Sequence, residues 1–374
     1  MMNSEEFDRA MMRRCLELAR KALGRTAPNP LVGAVIVKDG QIVGQGYHPA
    51  AGQPHAEVFA LRQAGEKARG ATIYVSLEPC NHHGRTPPCS EALVAAGVAK
   101  VVVGMVDPNP LVGGGGIARL RAAGIEVVVG VEEEACQKLN EAFVHRIVYR
   151  RPFGILKYAM TADGKIAATG GHSSWITSLD ARNEVHQLRA SCDAIVIGGN
   201  TLRQDNPHLT SHQTDAHNPL RVVMSRTLNL PEKAYLWETT EVPTLVLTEK
   251  GANPKFQEYL RKRGVMVEEL VSLTPERAMV YFYDQGFLSV LWECGGILAA
   301  SAIAQGAVQK ILAFIAPKIV GGTIAPTPVG DLGFTTMTQA LTLERVTWRV
   351  IGRDCLMEGY LPTPPPDLSP KNPG

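Results

Sequence analysis

Four residues in the first quarter of the chain have the types and spacing for metal-assisted hydrolysis. His55-Ala56-Glu57 opens a segment of helical periodicity, Pro79-Cys80 follows a short β-branched strand, and Cys89 comes after Pro87-Pro88 at the start of another helix. One imidazole and two thiolates give zinc three protein ligands and leave the fourth tetrahedral position for water, as a catalytic rather than structural ion requires. Ligands at helix N-termini also gain from the positive end of the helix dipole, which favours thiolate. Zinc lowers the pKa of its water from about 15.7 to roughly 7–9, so hydroxide becomes available near neutrality. Glu57 stands where it can take that water's proton without coordinating the ion and pass it to a ring nitrogen and a departing amine. The order His-x-Glu, then Pro-Cys and a second Cys, is that of zinc deaminases acting on nucleobase-like amino groups. Asn81–Pro88 separate the two cysteines, a longer gap than the usual pair, so the insert must loop outward. A structural zinc site completed by His82 or His83, or no metal at all, is the alternative. Glu57 argues against it, because a structural site has no use for an acid there.

The elements that must position these groups alternate over residues 1–149. After an amphipathic first helix with Gly24 as its C-cap come a strand at Ala34–Val37, a helix from His55 to Ala64, and a strand at Thr72–Val75. A helix at Glu91–Ala96, a strand at Lys100–Met105, a helix at Ile117–Ala123, a strand at Ile125–Val129 and a helix over 134–147 follow. Helices spaced between short β-branched strands predict an α/β layered domain. One hexapeptide occurs twice, as Pro28-Asn29-Pro30-Leu31-Val32-Gly33 and Pro108-Asn109-Pro110-Leu111-Val112-Gly113. Nothing around the copies repeats, so they read as two similar turns rather than a solenoid period. Prolines on both sides hold each asparagine in a rigid turn, which suits a polar group that must meet a ligand.

The charged break at Arg150-Arg151-Pro152 marks a domain boundary, with a second α/β domain over 150–361 and a proline-rich, disordered tail over 362–374. The second domain shows strands at Phe153–Met160, Ala194–Ile197, Leu220–Met224, Thr244–Leu247, Leu288–Trp292, 308–315, 344–351 and 355–360, with a helix at 179–190. Ala194–Leu202 and Leu291–Leu298 each run from a strand through two glycines into a helix start. Paired glycines let a backbone approach a phosphate, and the next helical turn offers N–H groups to bind it, so two such junctions favour a nucleotide cofactor. Gly113–Ala118 fits G-x-G-x-x-A by letter, but a Pro-Asn-Pro turn separates it from its strand, and it is rejected as a dinucleotide site.

Composition bounds the partners. The 374 residues carry a formal charge of +2 and are 45% hydrophobic and 20% charged, which gives no case for bulk nucleic-acid binding. Charges interrupt every apolar run at the N-terminus, unlike a signal peptide, and no stretch reaches the ~18 apolar residues of a membrane span, so the expected location is cytoplasmic. Seven scattered cysteines are no disulfide framework.

The string Glu78-Pro79-Cys80-Asn81-His82-His83-Gly84-Arg85-Thr86-Pro87-Pro88-Cys89, with His55-Ala56-Glu57 upstream, closely resembles the bifunctional riboflavin-biosynthesis deaminase-reductases, over nearly the whole chain. The resemblance implies a cytidine-deaminase-like three-layer domain followed by a dihydrofolate-reductase-like domain. It implies hydrolysis of the 2-amino group of 2,5-diamino-6-(5-phosphoribosylamino)pyrimidin-4-one, then reduction of the ribosyl chain to ribityl with NADPH. For the first substrate it points to Asn29, His48, His82, Arg85, Asp107 and Asn109. For the cofactor it points to Ala159, Trp175, Thr201, Asp205, Ser225 and the run Gly295-Gly296-Ile297-Leu298. For the second substrate it points to Lys157, Ser173, Thr177, Arg189, Leu209 and Glu293, with Asp205 and Lys157 steering protons. His212 falls where some relatives carry a phosphate-binding arginine, and Arg226 is placed to favour the 2′-phosphate of NADPH. The family also suggests self-association. A zinc deaminase whose second domain is inactive, or presents a polynucleotide, is the competing reading. The second of these predicts a basic stripe with interleaved aromatics, which residues 151–374 do not carry.

Overall fold

Asn3 opens the first helix with a capping box, its side chain accepting from Glu6 N while the Glu6 carboxylate accepts from Asn3 N. The computed structural model describes residues 3–82, 87–109, 112–212 and 217–362, so Arg85, His83 and the tail expected beyond Pro362 lie outside the described residues. The chain divides between Arg150 and Arg151 into two compact units.

The first unit runs α1 (Ser4–Arg20), β1 (Gly33–Lys38), β2 (Gln41–Tyr47), α2 (Ala56–Ala64), β3 (Thr72–Leu77), α3 (Cys89–Ala96), β4 (Lys100–Met105), α4 (Gly115–Ala122), β5 (Glu126–Val129), α5 (Glu133–Leu139) and α6 (Glu141–Tyr149). The sheet order is β2-β1-β3-β4-β5, with β1 antiparallel to both neighbours and β3, β4 and β5 parallel. Alternate side chains separate the faces. Ala34, Ile36, Ile73, Val75, Val101 and Val103 pack with Ala56, Ala60, Leu93 and Leu120 of α2, α3 and α4. On the other face Cys15 of α1 donates from Sγ to Tyr74 O. This is the α/β layered domain that the alternating pattern predicts, with the three layers that the resemblance implies. The expected single helix over 134–147 is instead two, α5 and α6, meeting at Asn140. Strand β2 escapes the sequence pattern because Gly44 and Gly46 look like turn residues. They are needed for close approach to α2. A Cβ at 44 would meet Ala60 O at 2.2 Å, and one at 46 would meet Ala56 O at 2.6 Å.

The second unit runs β6 (Phe153–Thr161), α7 (Leu179–Ser191), β7 (Ala194–Gly198), α8 (Gly199–Asp205), β8 (Leu220–Met224), β9 (Thr244–Glu249), α9 (Pro254–Lys262), β10 (Met266–Leu270), α10 (Pro275–Asp284), β11 (Ser289–Trp292), α11 (Gly296–Ala304), β12 (Lys310–Ala316), β13 (Glu344–Ile351) and β14 (Asp354–Tyr360). Its nine strands lie in the order β10-β9-β8-β7-β11-β6-β12-β14-β13. They are parallel from β10 through β12, and the β14–β13 hairpin is added antiparallel at one edge. Val196, Val222, Leu245 and Trp292 from the sheet pack with Met279 and Phe282 of α10 and Ala299 and Ile303 of α11. Elements α9, β10 and α10 fill a span where the sequence pattern placed none.

Candidate active sites

His55 is the N-cap of α2 and lends it no side-chain bond, which leaves its imidazole free to turn outward. Cys89 is the first residue of α3, and Cys80 follows β3. These three residues are brought together, with their ligand atoms all within 4.8 Å of one another. His55 Nδ1 lies 3.3 Å from Cys89 Sγ and 3.5 Å from Cys80 Sγ. Zinc–nitrogen and zinc–sulfur bonds of about 2.0–2.1 and 2.3 Å at a tetrahedral angle would set nitrogen and sulfur roughly 3.5 Å apart, so the donors fit that ion. A hydrogen bond from the Cys89 thiol holds the Cys80 thiol down to about 4, and the same bond pushes Cys89 up. Cys80 is therefore the readier thiolate.

Glu57, in the first turn of α2, is 3% exposed, and its Oε2 has no hydrogen-bond partner among the described residues. An orphaned buried carboxylate oxygen costs free energy unless a ligand completes it. Burial, reinforced by the charge on Cys80, pushes its carboxyl up to about 7. The carboxylate belongs to the site without joining the ligand set.

The two proline-flanked turns carry the expected substrate groups. Asn29 Nδ2 lies 3.2 Å from His48 Nε2, while His48 Nδ1 lies 3.1 Å from Pro54 O. That pattern fits a neutral His48 donating from Nδ1 and accepting from Asn29, and burial lowers its pKa accordingly. The His48 ring stands edge-on to His55 at 5.5 Å. In the second turn, Asp107 accepts from Asn109 N at 2.8 Å, and burial raises its pKa. His82 is exposed.

In the second unit the register of β11 on β6 sets Trp292 beside Leu156, so Glu293 falls next to Lys157. The Glu293 carboxylate accepts from Lys157 Nζ at 3.1 Å and, in a fork, from Arg189 Nε and Nη2 at 2.7 and 3.0 Å. Burial works against its charge, but the Arg189 and Lys157 cations outweigh it and hold the carboxyl well below the usual range. Arg189 Nη1 also donates to Thr210 O, which ties the triad to the loop holding Leu209 and His212, both at positive φ. The His212 ring packs against His186 at 4.6 Å and lies 6.4 Å from His208. Asp205, at the end of α8, accepts from Ser173 Oγ at 2.8 Å. Its partner is thus Ser173, and the structure shows no bond between it and Lys157.

Thr201, Ser225 and Gly295–Leu298 all sit just past the carboxyl ends of the adjacent parallel strands β7, β8 and β11, where open α/β sheets bind ligands. Ala159 lies two residues past Lys157 on β6 and shares its face. The α11 N-cap, Gly295, provides no side-chain bond, and a Cβ there would meet nothing within 4 Å. The open N–H groups and bare approach fit a cofactor phosphate. Ile297 is exposed. Trp175 is exposed at positive φ, with the Arg182 guanidinium 4.2 Å over its ring and its carbonyl accepting from Lys318. Thr177 is buried beside Ser178, whose N–H donates to Asp354.

The sequence pattern gave no role to Glu78, Asn140, Arg182 or His186. Glu78 had a signal, an acid directly before Pro79-Cys80. Asn140 and His186 meet partners far along the chain, and Arg182 covers Trp175, seven positions earlier.

Taken together, one unit brings His55, Cys80 and Cys89 close enough to hold a metal ion, with the buried Glu57 carboxylate two residues from His55. The other holds a partly buried ion triad beside the carboxyl ends of its parallel strands. Comparison with known proteins agrees. Residues 5–105 match the cytidine and deoxycytidylate deaminase zinc-binding region, and residues 152–357 match the RibD C-terminal domain. The chain is 63% identical over 354 residues to the riboflavin biosynthesis protein RibD of Synechocystis, covering 95% of this chain and 96% of that one. Among solved structures it resembles RibD of Acinetobacter baumannii with a TM-score of 0.86 at 38% identity, covering 96% of this chain and 100% of that chain. It also resembles a diaminohydroxyphosphoribosylaminopyrimidine deaminase/5-amino-6-(5-phosphoribosylamino)uracil reductase of Thermotoga maritima, with a TM-score of 0.87 at 35% identity and the same coverage. This class joins a zinc-type deaminase to a reductase in one chain. The chain belongs to the RibD family of bifunctional riboflavin-biosynthesis enzymes. A zinc-binding deaminase domain joined to a reductase domain implies zinc and a nicotinamide cofactor. No helix among the described residues is long and apolar enough to cross a membrane.

Proposed function

We propose that this chain catalyses two successive steps on a phosphorylated pyrimidine. The first is hydrolytic deamination of 2,5-diamino-6-(5-phosphoribosylamino)pyrimidin-4-one within residues 1–149. The second is NADPH-dependent reduction of the ribosyl side chain to ribityl within residues 150–361. The observation that carries this reading is the meeting of His55, Cys80 and Cys89 beside the buried Oε2 of Glu57, unpartnered among the described residues. Zinc, held by those three side chains, would supply Lewis acidity and a water acidified toward neutrality. Glu57 then holds the transferred proton at Oε2 and returns it to the ring nitrogen and the leaving amine. Asn29, His48, Asp107 and Asn109 orient the base, with His82 and Arg85 reaching the phosphoribosyl end.

In the second step Lys157, Arg189 and Glu293 form a rigid polar floor for the ribose. Ser173, Thr177 and Leu209 flank it, and Asp205 and Lys157 move protons as the sugar ring opens and hydride reaches C1′. The cofactor lies along Ala159, Trp175, Thr201, Asp205, Ser225 and Gly295–Leu298. The reading extends to self-association, as the family resemblance implies, and to the cytoplasmic location expected from the sequence pattern.

Mass spectrometry of the substrate tests both steps. Without NADPH it gains about one mass unit for amino-to-oxo exchange, and with NADPH about two more for hydride and proton. An unchanged mass without NADPH sinks the first step, and no further gain with it sinks the second.

Arg226 follows Ser225 and is exposed, which supports reading it as a partner of the cofactor's 2′-phosphate. Arg226→Ala is expected to lower the NADPH-over-NADH preference in kcat/KM on the order of tenfold or more. An unchanged ratio removes Arg226 from cofactor choice.

A further inference from the structure

The two proline-flanked turns share more than a hexapeptide. Each is fastened by one buried polar side chain from outside the turn. Asn140, 2% exposed, accepts from Leu31 N at 2.8 Å and donates to Leu31 O at 2.9 Å, two residues beyond Asn29. This two-point bond sits where α5 gives way to α6, which accounts for the break in a helix the sequence pattern predicts as continuous. Glu78, 5% exposed, uses both carboxylate oxygens. Its Oε2 accepts from Asp107 N at 3.2 Å and Gly114 N at 2.9 Å, and its Oε1 from Gly116 N at 2.9 Å and Ile117 N at 3.2 Å. The same stretch is pressed close to the chain leading to Cys80, since a Cβ at Gly116 would meet Pro79 O at 2.0 Å. The glycine run that mimics a dinucleotide fingerprint therefore serves this backbone contact.

From these contacts we infer that Glu78 and Asn140 are positioning residues of the deaminase, holding the Asp107–Asn109 and Asn29 turns at fixed distances from the metal ligands. Glu78 links the second turn to Cys80 through Pro79 alone, so the turn and the ligand move as one body. Asn140 fixes the first turn from the opposite end of the domain sequence. Both side chains are buried and spend their bonds on backbone groups. Each sets where a substrate-facing asparagine stands, and buried bonds of this kind hold a site to the tolerance that catalysis needs.

This inference rests on the deaminase reading, and its test separates the two. The full chain carrying Glu78→Gln, and separately Asn140→Ala, is compared with wild type for zinc content, deaminase kcat and KM, reductase activity on deaminated substrate, and amide hydrogen exchange. Glu78→Gln keeps the shape but turns one acceptor into a donor facing two N–H groups. KM for deamination is expected to rise on the order of tenfold or more, with kcat falling less. Zinc stays at wild-type content and reductase activity is unchanged. Exchange quickens at residues 107–117 in Glu78→Gln, and around Leu31 in Asn140→Ala. Unchanged KM and exchange in both variants overturn the inference, as does loss of zinc in parallel with activity. Wild type that releases no ammonia overturns the deaminase reading instead, while the exchange result still decides whether the two tethers exist. If one variant fails to fold, the other carries the same test on its own turn.

Discussion

Glu57→Gln is expected to cut ammonia release about 100- to 10,000-fold, the usual worth of a positioned general acid–base. Glutamine fills the same volume but cannot accept or return a proton. The metal should stay, because His55, Cys80 and Cys89 are the donors that meet and Glu57 is not among them. Reduction of already deaminated substrate should be untouched. Stripping the metal with a chelator should abolish deamination and spare reduction in the same way. Parallel assays of ammonia release, NADPH oxidation and zinc content decide the matter. Loss of both activities in a folded Glu57→Gln protein would show that the two chemistries do not run at separate sites.

Glu293→Ala is expected to destabilise the second unit strongly. Its side chain is 9% exposed, those of Lys157 and Arg189 are each 14% exposed, and removing the carboxylate leaves two cations without their shared counter-charge. Breaking such a buried set costs about 3–5 kcal/mol, and at roughly 2–4 °C per kcal/mol for a unit of this size the melting transition should drop by about 10 °C. Calorimetry would resolve it, with deaminase turnover below the transition serving as an internal control. A transition that does not move would mean that solvent already compensates the triad. The pH dependence has a definite sign. The native pKa of Glu293 is depressed, so its contribution is fully present above the unfolded value of about 4.3 and is lost as the pH falls toward the native one.

Much of this architecture was legible in the chain. Strand boundaries at Lys100–Met105, Leu220–Met224 and 344–351 match the β-branched runs that announce them. The cluster of His55, Cys80 and Cys89 was readable because side-chain chemistry, local spacing and helix starts agree within thirty-five residues. Helices α9 and α10 also carry start signals, Asn253 and Thr274 capping ahead of Pro254 and Pro275, although the apolar pattern alone did not mark them. What stayed hidden was long-range pairing. Arg189 meets Glu293 across 104 positions, and Asn140 meets Leu31 across 109. No local rule announces such partners, and an asparagine in a helical run reads as a solvent-facing residue until its burial is known. Strand β2 was hidden for the reverse reason, because the glycines that let it pack are the ones that weaken its strand signal.

That packing bears on the whole deaminase unit. With the backbone of α2 resting against Gly44 and Gly46, even a methyl group at either position would act as a shim under the helix. His55 and Glu57 ride on the same turn, so the shim would tilt the imidazole and the carboxylate in concert. The placement of both side chains is therefore seated on a hairpin that contributes neither of them and is set from beneath.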